Sequence, residues 1–202
     1  MASKLQKRLY TIIMNTKLVE WQRHSPTNGL VQCWWTHPML DLIETWDWKD
    51  KVMLEMGAGL GTAWLRDRCK WVDSLEADLE WAKRAEEYCQ ANGKTNGVIY
   101  AKQLPDGVQG TQPKYFGMIP DKQYDIISID GIYRTEAIEW ALNHFKGRNG
   151  LLIIDNLDQD YVWISPKAME LLEPYKGEIF IQKNHVVHEG KPWNTRYYNI
   201  PK

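Results

Sequence analysis

The chain has 202 residues, of which 44% are hydrophobic, and its 25 basic and 26 acidic residues leave a formal net charge of -1. A chain of this size can bury one sizeable core, and no apolar run approaches the roughly 18 residues that a membrane-spanning helix needs. The balanced charge provides no bulk field for a polyanion. We therefore expect no membrane partner, and nucleic acid is not the expected partner either.

The cysteines argue against a disulfide-stabilised or zinc-binding protein. Cys33, Cys69 and Cys89 are odd in number, and none of them forms a CxxC motif. They fit neither a disulfide framework nor a zinc site. We expect a reducing, cytoplasmic location.

Residues 1–45 are expected to form a helical extension ahead of the main domain. Apolar residues recur near helical spacing from Leu5 to Val19, in a segment that has no acid before Glu20. The spacing predicts an amphipathic helix docked on the domain, although a targeting sequence can carry a similar charge. Pro38 suits the first position of a second short helix that runs through Ile43.

Residues 46–202 alternate apolar strands with helical segments, and no linker is long enough to divide them. The predicted strands are 51–56, 71–76, 98–101, 124–130, 151–155, 178–182 and 196–200. The predicted helices are 62–69, 79–91, 135–145 and 166–172. This order predicts an α/β domain with a doubly wound, mostly parallel, seven-stranded sheet covered by helices on both faces. Residues 183–195 are too few for a crossover helix, so the last two strands are predicted to form an antiparallel hairpin.

The segment from Lys51 to Thr62 predicts a ligand-binding turn. An apolar strand carries Glu55 near its end and continues into three alternate glycines, Gly57, Gly59 and Gly61. Glycines let the backbone turn sharply and approach a ligand where a Cβ atom would collide. The turn follows the carboxyl end of a predicted strand, which is where open α/β sheets bind ligands.

A second acid indicates that the ligand carries a ribose. Glu76 ends the next predicted strand, 21 residues after Glu55. In dinucleotide-binding folds an acid at this position accepts hydrogen bonds from ribose hydroxyls. A dinucleotide itself fits poorly, because a GxGxxG motif that starts at Gly57 would need glycine where Thr62 stands. The alternative is purely structural: a tight turn followed by a solvent-exposed acid at the end of a strand.

These residues resemble the first motif, E/D-x-G-x-G-x-G, of the class I, Rossmann-like S-adenosylmethionine-dependent methyltransferases. The resemblance extends from about Trp46 to the C-terminus and includes the closing antiparallel strands. It implies S-adenosyl-L-methionine as the cofactor, with its methionine part on the glycine turn and its ribose on the second acid. The cofactor-binding residues that the resemblance implies are Glu55, Gly57, Ala58, Gly59, Gly61, Thr62, Glu76, Ala77, Gln103 and Asp130.

By the same resemblance, the end of the fourth strand is the catalytic edge, and Asp130, Tyr133 and Arg134 are the candidate catalytic residues. Methyltransferases that act on amino groups of nucleic acid bases carry a [D/N/S]-P-P-[Y/F/W] motif at this edge. Here Asp130 and Tyr133 enclose Gly131 and Ile132, so both prolines are absent. Base methylation is therefore disfavoured. Asp130 could equally be a strand-end acid that only caps the next helix.

The fifth strand ends in Asp155 and is followed by Asn156. With Asp130 they resemble the Mg²⁺ ligands of metal-dependent O-methyltransferases, and oxygen ligands suit that cation. A bound metal would lower the pKa of an acceptor hydroxyl. The alternative is that these are ordinary polar residues at strand ends that do not converge.

Several aromatic and histidine residues have both a functional and a structural interpretation. Trp34 and Trp35 could cover the cofactor and attract its sulfonium by a cation–π interaction, or pack in the core. His37 could be a general base or a turn residue. His185 and His188 lie in the predicted hairpin without a third ligand nearby in sequence, so a zinc site is not expected.

The sequence therefore predicts methyl transfer to an acceptor, with a small hydroxylated molecule and O-methylation favoured. Protein or nucleic acid acceptors remain alternatives, as do cofactor cleavage, cofactor sensing and an inactive subunit, since a fold does not fix a function. A nicotinamide oxidoreductase is a further alternative, against which Thr62 argues. A homo-oligomer is compatible with the sequence.

Overall fold

Short apolar strands alternate with helices along the chain and assemble into a single seven-stranded sheet. The computed structural model describes residues 29–104, 112–157, 165–182 and 192–202. The helices are α1 (His37–Ile43), α2 (Gly61–Arg68), α3 (Leu79–Ala91), α4 (Gln112–Phe116), α5 (Arg134–His144) and α6 (Pro166–Leu172). The strands are β1 (Val52–Met56), β2 (Trp71–Glu76), β3 (Gly97–Ala101), β4 (Ile126–Ile129), β5 (Gly150–Asp155), β6 (Gly177–Gln182) and β7 (Trp193–Ile200).

The strand order is β3-β2-β1-β4-β5-β7-β6, and the direction of winding reverses between β1 and β4. Strands β1 to β5 pair in parallel, whereas β7 runs antiparallel to both β5 and β6. The predicted fold class and the predicted closing hairpin are therefore confirmed. Ligands of doubly wound sheets bind at the reversal point, outside the carboxyl ends of the strands.

Apolar side chains cover both faces of the sheet because successive strand residues point to opposite sides. On β1, Leu54 and Met56 belong to one core cluster, which also contains buried residues of α5 and α6. Met53 belongs to a second cluster with Trp64 of α2 and buried residues of α1. Helices thus cover both faces, as the predicted three-layer arrangement requires.

The segment ahead of β1 packs on this second cluster. The short helix expected at Pro38 is present as α1, and Met39, Leu40 and Ile43 are its buried residues. The amphipathic helix expected from Leu5 to Val19 lies outside the described residues. The boundary between an extension, residues 1–45, and a domain, residues 46–202, stays a prediction.

Two elements show the largest differences from the sequence-based expectation. Helix α4 was not predicted, because its five residues carry no helical repeat of apolar positions. Strand β7 begins at Trp193 instead of Arg196. Its first half contains Asn194 and Thr195, which read as loop residues but are buried here. Thr195 tolerates burial because its hydroxyl donates a 2.6 Å hydrogen bond to the Asp155 carboxylate.

Two further observations concern the cysteines and membrane-spanning helices. The three cysteines are free thiols in this structure. In the part of the chain that the structure describes, no helix combines the length and the apolarity that crossing a membrane requires.

The turn after β1 packs directly on the turn after β4. Gly57 has φ +107°, and a Cβ atom there would lie 2.7 Å from the Gly131 nitrogen and 2.8 Å from the Asp130 carbonyl carbon. Both neighbours are backbone atoms, so no side chain can move aside to make room. Only glycine satisfies both the dihedral angle and the contact.

We predict that Gly57→Ala lowers the free energy of unfolding by about 3 kcal/mol or more, because strain and collision add. Gly147→Ala is the matched control, since Gly147 also has a positive φ, +78°, but nothing lies within 4 Å of its Cβ position. The free energy of unfolding of the control should fall by only about 1 kcal/mol, which is the cost of placing alanine in the left-handed conformation. Urea unfolding measures both variants, and equal losses would contradict the collision.

Candidate functional site

A cavity of about 450 Å³ lies at the carboxyl ends of the central strands, where the winding reverses. The turn after β1 forms one side of it, the ends of β2 and β4 form others, and the segment Val31–Trp35 covers it. Most of the predicted site residues line it, namely Glu55, Gly57, Ala58, Gly59, Gly61, Glu76, Ala77, Asp130, Arg134 and Asn156. Its size is typical of a site for a small molecule or cofactor.

The other two glycines of the turn have different neighbours. A Cβ atom on Gly61 would lie 2.8 Å from the Cys33 backbone, so this glycine admits the covering segment. A Cβ atom on Gly59 would meet only the Trp81 side chain, at 3.6 Å. The protein itself therefore does not require glycine at position 59. A ligand that lies against the backbone at this position would require glycine there.

Glu55 braces the glycine turn from within. One of its oxygens accepts hydrogen bonds from the Thr62 hydroxyl and the Ser74 hydroxyl, each at 2.7 Å. The Thr62 hydroxyl in turn accepts a hydrogen bond from the Gly59 amide at 3.1 Å. Burial raises the pKa of Glu55 to about 7, although its two hydroxyl donors act in the opposite direction. Thr62 is fully buried and supports the turn without lining the cavity.

Glu76 lies at the cavity wall with its carboxylate folded over the following turn. One oxygen accepts hydrogen bonds from the amides of Ala77, at 2.7 Å, and Asp78, at 3.0 Å. Burial raises the pKa of Glu76, and these two amide donors oppose the rise. Gln103, the predicted neighbour of the adenine, is exposed, and its side-chain oxygen accepts from the Leu79 amide at 3.4 Å. It is not among the residues that line the cavity.

Asp130 and Arg134 form an ion pair of 2.9 Å at the end of β4. Arg134 is 2% exposed and also donates to the carbonyl oxygens of Asp130, Gly131 and Asp155. Its guanidinium therefore ties the end of β4 to the end of β5. Burial raises the pKa of Asp130, whereas the charge of Arg134 and its hydrogen bond lower it, and the balance is a raised pKa.

Tyr133, the third candidate catalytic residue, does not line the cavity. It adopts a left-handed conformation, φ +54°, that turns its ring into the core, where it is 5% exposed. There it packs edge to face on Tyr115, with ring centroids 6.0 Å apart. This geometry gives the catalytic prediction for Tyr133 no support.

The carboxylate of Asp155 is fully buried, and protein donors engage both of its oxygens. The Thr195 hydroxyl donates to one oxygen, at 2.6 Å, and the Trp193 indole and Asn156 amide donate to the other, at 2.9 and 2.8 Å. Burial raises its pKa well above the ordinary value. Among the described residues no cluster of three or more His, Cys, Asp or Glu side chains could hold a metal ion. These contacts give the magnesium prediction no support.

The segment that covers the cavity contains both candidate tryptophans. Trp34 is 47% exposed, whereas Trp35 is buried and packs edge to face on Trp64 at 6.2 Å. Both line the cavity, so covering a ligand and packing in the core are compatible functions. Burial keeps the pKa of the neighbouring Cys33 thiol well above its ordinary value, which leaves the thiol protonated. His37 is not among the lining residues, and His185 and His188 lie outside the described residues.

Several lining residues were not predicted from the sequence, and they are Trp81, Tyr115, Ser128, Ile132 and Trp193. For Trp81 the sequence carried a signal, because Trp81 lies in the first turn of α3, the helix that follows β2 and its last residue, Glu76. The Asp78 side chain caps that helix by accepting from the Trp81 amide at 2.9 Å. Tyr115 lies in the unpredicted helix α4, and Trp193 begins the unpredicted half of β7. Neither carries a local signal for the site.

Comparison with known proteins identifies the fold. No protein-family model and no curated protein matches the sequence. Three similar solved structures are a precorrin-6y C5,15-methyltransferase from Geobacter metallireducens, the N-methyltransferase NodS from Bradyrhizobium japonicum bound to S-adenosyl-L-homocysteine, and an rRNA methylase from Streptococcus thermophilus.

Each of the three is 13% identical to this chain, with TM-scores of 0.54, 0.56 and 0.53. The alignments cover 88%, 76% and 81% of this chain and 98%, 80% and 95% of those chains, respectively. The chain thus has the Rossmann-like fold of the class I S-adenosylmethionine-dependent methyltransferases, as the motif predicted. The names of these three proteins give different methylation reactions, so the fold leaves the acceptor open.

The raised pKa of Glu55 makes a testable contribution to stability. The folded protein keeps a proton on Glu55 up to about pH 7, whereas the unfolded chain releases it near the ordinary value of 4.5. The contribution is therefore full below pH 4.5 and is lost as pH rises through this window. The loss is of order 3 kcal/mol.

Glu55→Gln should remove this dependence, because an amide oxygen accepts the same two hydroxyl donors without titrating. Other buried acids shift in the same direction, but they cancel when wild type and variant are compared. Urea unfolding between about pH 4.5 and 7 checks the difference in slope. Glu87→Gln, at an exposed position of α3, should keep the wild-type slope. Parallel curves for wild type and Glu55→Gln would contradict the account.

Proposed function

We propose that this protein is an S-adenosylmethionine-dependent methyltransferase whose acceptor is a small hydroxylated molecule. The observation that carries the proposal is the open side of the glycine turn. Gly59 presents bare backbone to the cavity, and the acids Glu76 and Asp130 line the same cavity. A ligand with a ribose and a cationic centre suits a surface of this kind.

The residues present fit this cofactor in shape. The Cβ position of Gly59 faces only Trp81, so the backbone there is accessible to a ligand. Glu76 is held at the cavity wall by two main-chain amides, which leaves its carboxylate oriented to accept from ribose hydroxyls. The aromatic ring of Trp81 also lines the cavity, 3.6 Å from the Cβ position of Gly59, and a flat base could stack on it.

The residues also fit the cofactor in charge. Of the described side chains that line the cavity, Glu55, Glu76 and Asp130 are acidic and Arg134 is the single base. Arg134 is directed at protein oxygens and Glu55 keeps its proton up to about pH 7, so Glu76 and Asp130 provide the carboxylates of the wall. A wall of this character attracts a sulfonium and an ammonium group. Trp34, half-exposed over the cavity, would add a cation–π attraction.

When bound, S-adenosylmethionine would supply an activated methyl group, and the protein would mainly position the acceptor. The carboxylate of Asp130 is the proposed proton acceptor for the hydroxyl that is methylated. Its raised pKa makes it a stronger base than an exposed aspartate. Arg134 holds this carboxylate in place. The covering segment, with Trp34 and Trp35, would exclude water from the reacting groups.

A small acceptor agrees better with these features than a polyanion does. The net charge is -1, and Arg134 is engaged inside the protein and does not offer a phosphate-binding surface. Methylation of protein or nucleic acid remains the second candidate because an rRNA methylase shares the fold. The three free thiols support the proposal of a reducing, cytoplasmic location. A homo-oligomer remains a prediction.

Two substitutions test cofactor binding. Gly59→Val should fold normally, because its Cβ meets no backbone atom, yet it should abolish binding of S-adenosylhomocysteine by filling the cradle. Glu76→Ala should weaken binding by about a hundredfold, since the ribose loses charge-assisted hydrogen bonds. Calorimetric titration measures both variants. Glu87→Ala, which removes an exposed carboxylate of α3, is the charge-matched control and should bind like wild type. Wild-type affinity in Gly59→Val and Glu76→Ala would refute the assignment.

Methyl transfer itself is tested with methyl-labelled cofactor and a cell extract. We expect S-adenosylhomocysteine and one labelled small molecule by mass spectrometry. A chelator should leave the rate unchanged, because protein donors already engage both oxygens of Asp155. Asp130→Asn should lower the rate by about a hundredfold or more, since it removes the proton acceptor. Cofactor binding without any S-adenosylhomocysteine would identify a sensor or an inactive subunit instead.

A further inference from the structure

Asp155 is a buried acid that the proposed chemistry does not use. It is 0% exposed and is absent from the cavity wall, although two of the residues that donate to it line the cavity. Three neutral donors engage its two oxygens, namely the Thr195 hydroxyl, the Trp193 indole and the Asn156 amide. A carboxylate buried without such donors would be strongly destabilising, so this arrangement is fixed in the folded state.

Two of the donors form part of the cavity wall. Trp193 and Asn156 both line the cavity, and both are held by the same oxygen of Asp155. The side-chain amide of Asn156 is further constrained by its left-handed backbone, φ +50°. The orientation of this wall thus depends on a group that lies behind it.

The third donor connects Asp155 to the covering segment. Thr195 lies opposite Asp155 in the pairing of β5 with β7. Its hydroxyl donates to Asp155 at 2.6 Å and accepts from the main-chain amide of Thr36 at 2.8 Å. Thr36 directly follows Trp34 and Trp35. Because a hydroxyl has one proton, pointing it at the carboxylate turns its lone pairs toward the Thr36 amide.

We propose that Asp155 is a positioning residue, which seats the covering segment through Thr195 and fixes part of the cavity wall through Trp193 and Asn156. Cofactor affinity then depends on a carboxylate that touches no ligand. The affinity part of this inference rests on the proposed function, whereas the seating of the covering segment does not. The buried carboxyl group of Asp155 sets the direction of three donors around one cavity, which an apolar side chain of similar size could not do.

Thr195→Val tests the connection, because it keeps the volume and branching of the side chain but removes the hydroxyl. In the protein without ligand, hydrogen exchange of the amides of residues 31–36 should become about tenfold faster or more. The affinity for S-adenosylhomocysteine, measured by calorimetry, should fall by a similar factor. Thr195→Ser restores the hydroxyl and should return both quantities to near wild type.

Thr135→Val is the matched control. Thr135 is also buried, and its hydroxyl accepts a main-chain hydrogen bond, from Ser165 at 2.9 Å, away from the covering segment. It should lose comparable stability and leave exchange of residues 31–36 and ligand affinity unchanged. Should Thr195→Val fail to fold, Thr195→Cys, with its weak S–H donor, replaces it and should shift both quantities in the same direction.

Wild-type exchange and affinity in Thr195→Val would overturn the inference, and so would equal changes in Thr135→Val. If wild-type protein binds no S-adenosylhomocysteine, the proposed function fails. The exchange measurement then still decides whether the Thr195 hydroxyl, which donates to Asp155, seats the covering segment.

Discussion

The backbone contact between the turns after β1 and β4 is the constraint on which the site depends. A Cβ atom on Gly57 would lie 2.7 Å from the Gly131 nitrogen, so the two turns touch without intervening side chains. This contact places Asp130 next to the glycine turn and between the ends of β1 and β5. Without it, the acids of neighbouring strands would surround a wider cleft.

The four acidic residues near the cavity have different hydrogen-bond partners, and these partners distinguish the functions of the four acids. Glu55 binds hydroxyl donors and braces the turn, while Asp155 binds three neutral donors and orients the wall. Glu76 is held by main-chain amides and Asp130 by Arg134, and both line the cavity. Burial raises the pKa of all four, so their different contacts and not their acidity distinguish them.

Local sequence signals predicted most of the fold and many of the residues that line the cavity. Apolar runs identified the strands, and helix α3 was predicted with its observed bounds; in the structure Asp78 caps it. The glycine turn was predicted because it follows the end of β1, and Glu76 was predicted because it ends β2. The failures have a common cause: Trp193, Tyr115 and the contacts of Asp155 depend on neighbours distant in sequence. Tyr133 was assigned to the site from its resemblance to the aromatic position of a family motif, whereas its ring lies in the core, 5% exposed.

The central claim is that the glycine turn and Glu76 enclose a sulfur nucleoside. A crystal structure of the protein grown with S-adenosylhomocysteine tests it most directly. The account predicts density for the ligand in the cavity. Its amino-acid part should lie against Gly59, and its ribose hydroxyls should lie within hydrogen-bond distance of the Glu76 carboxylate. A ligand bound elsewhere, or a ribose that points away from Glu76, would contradict it.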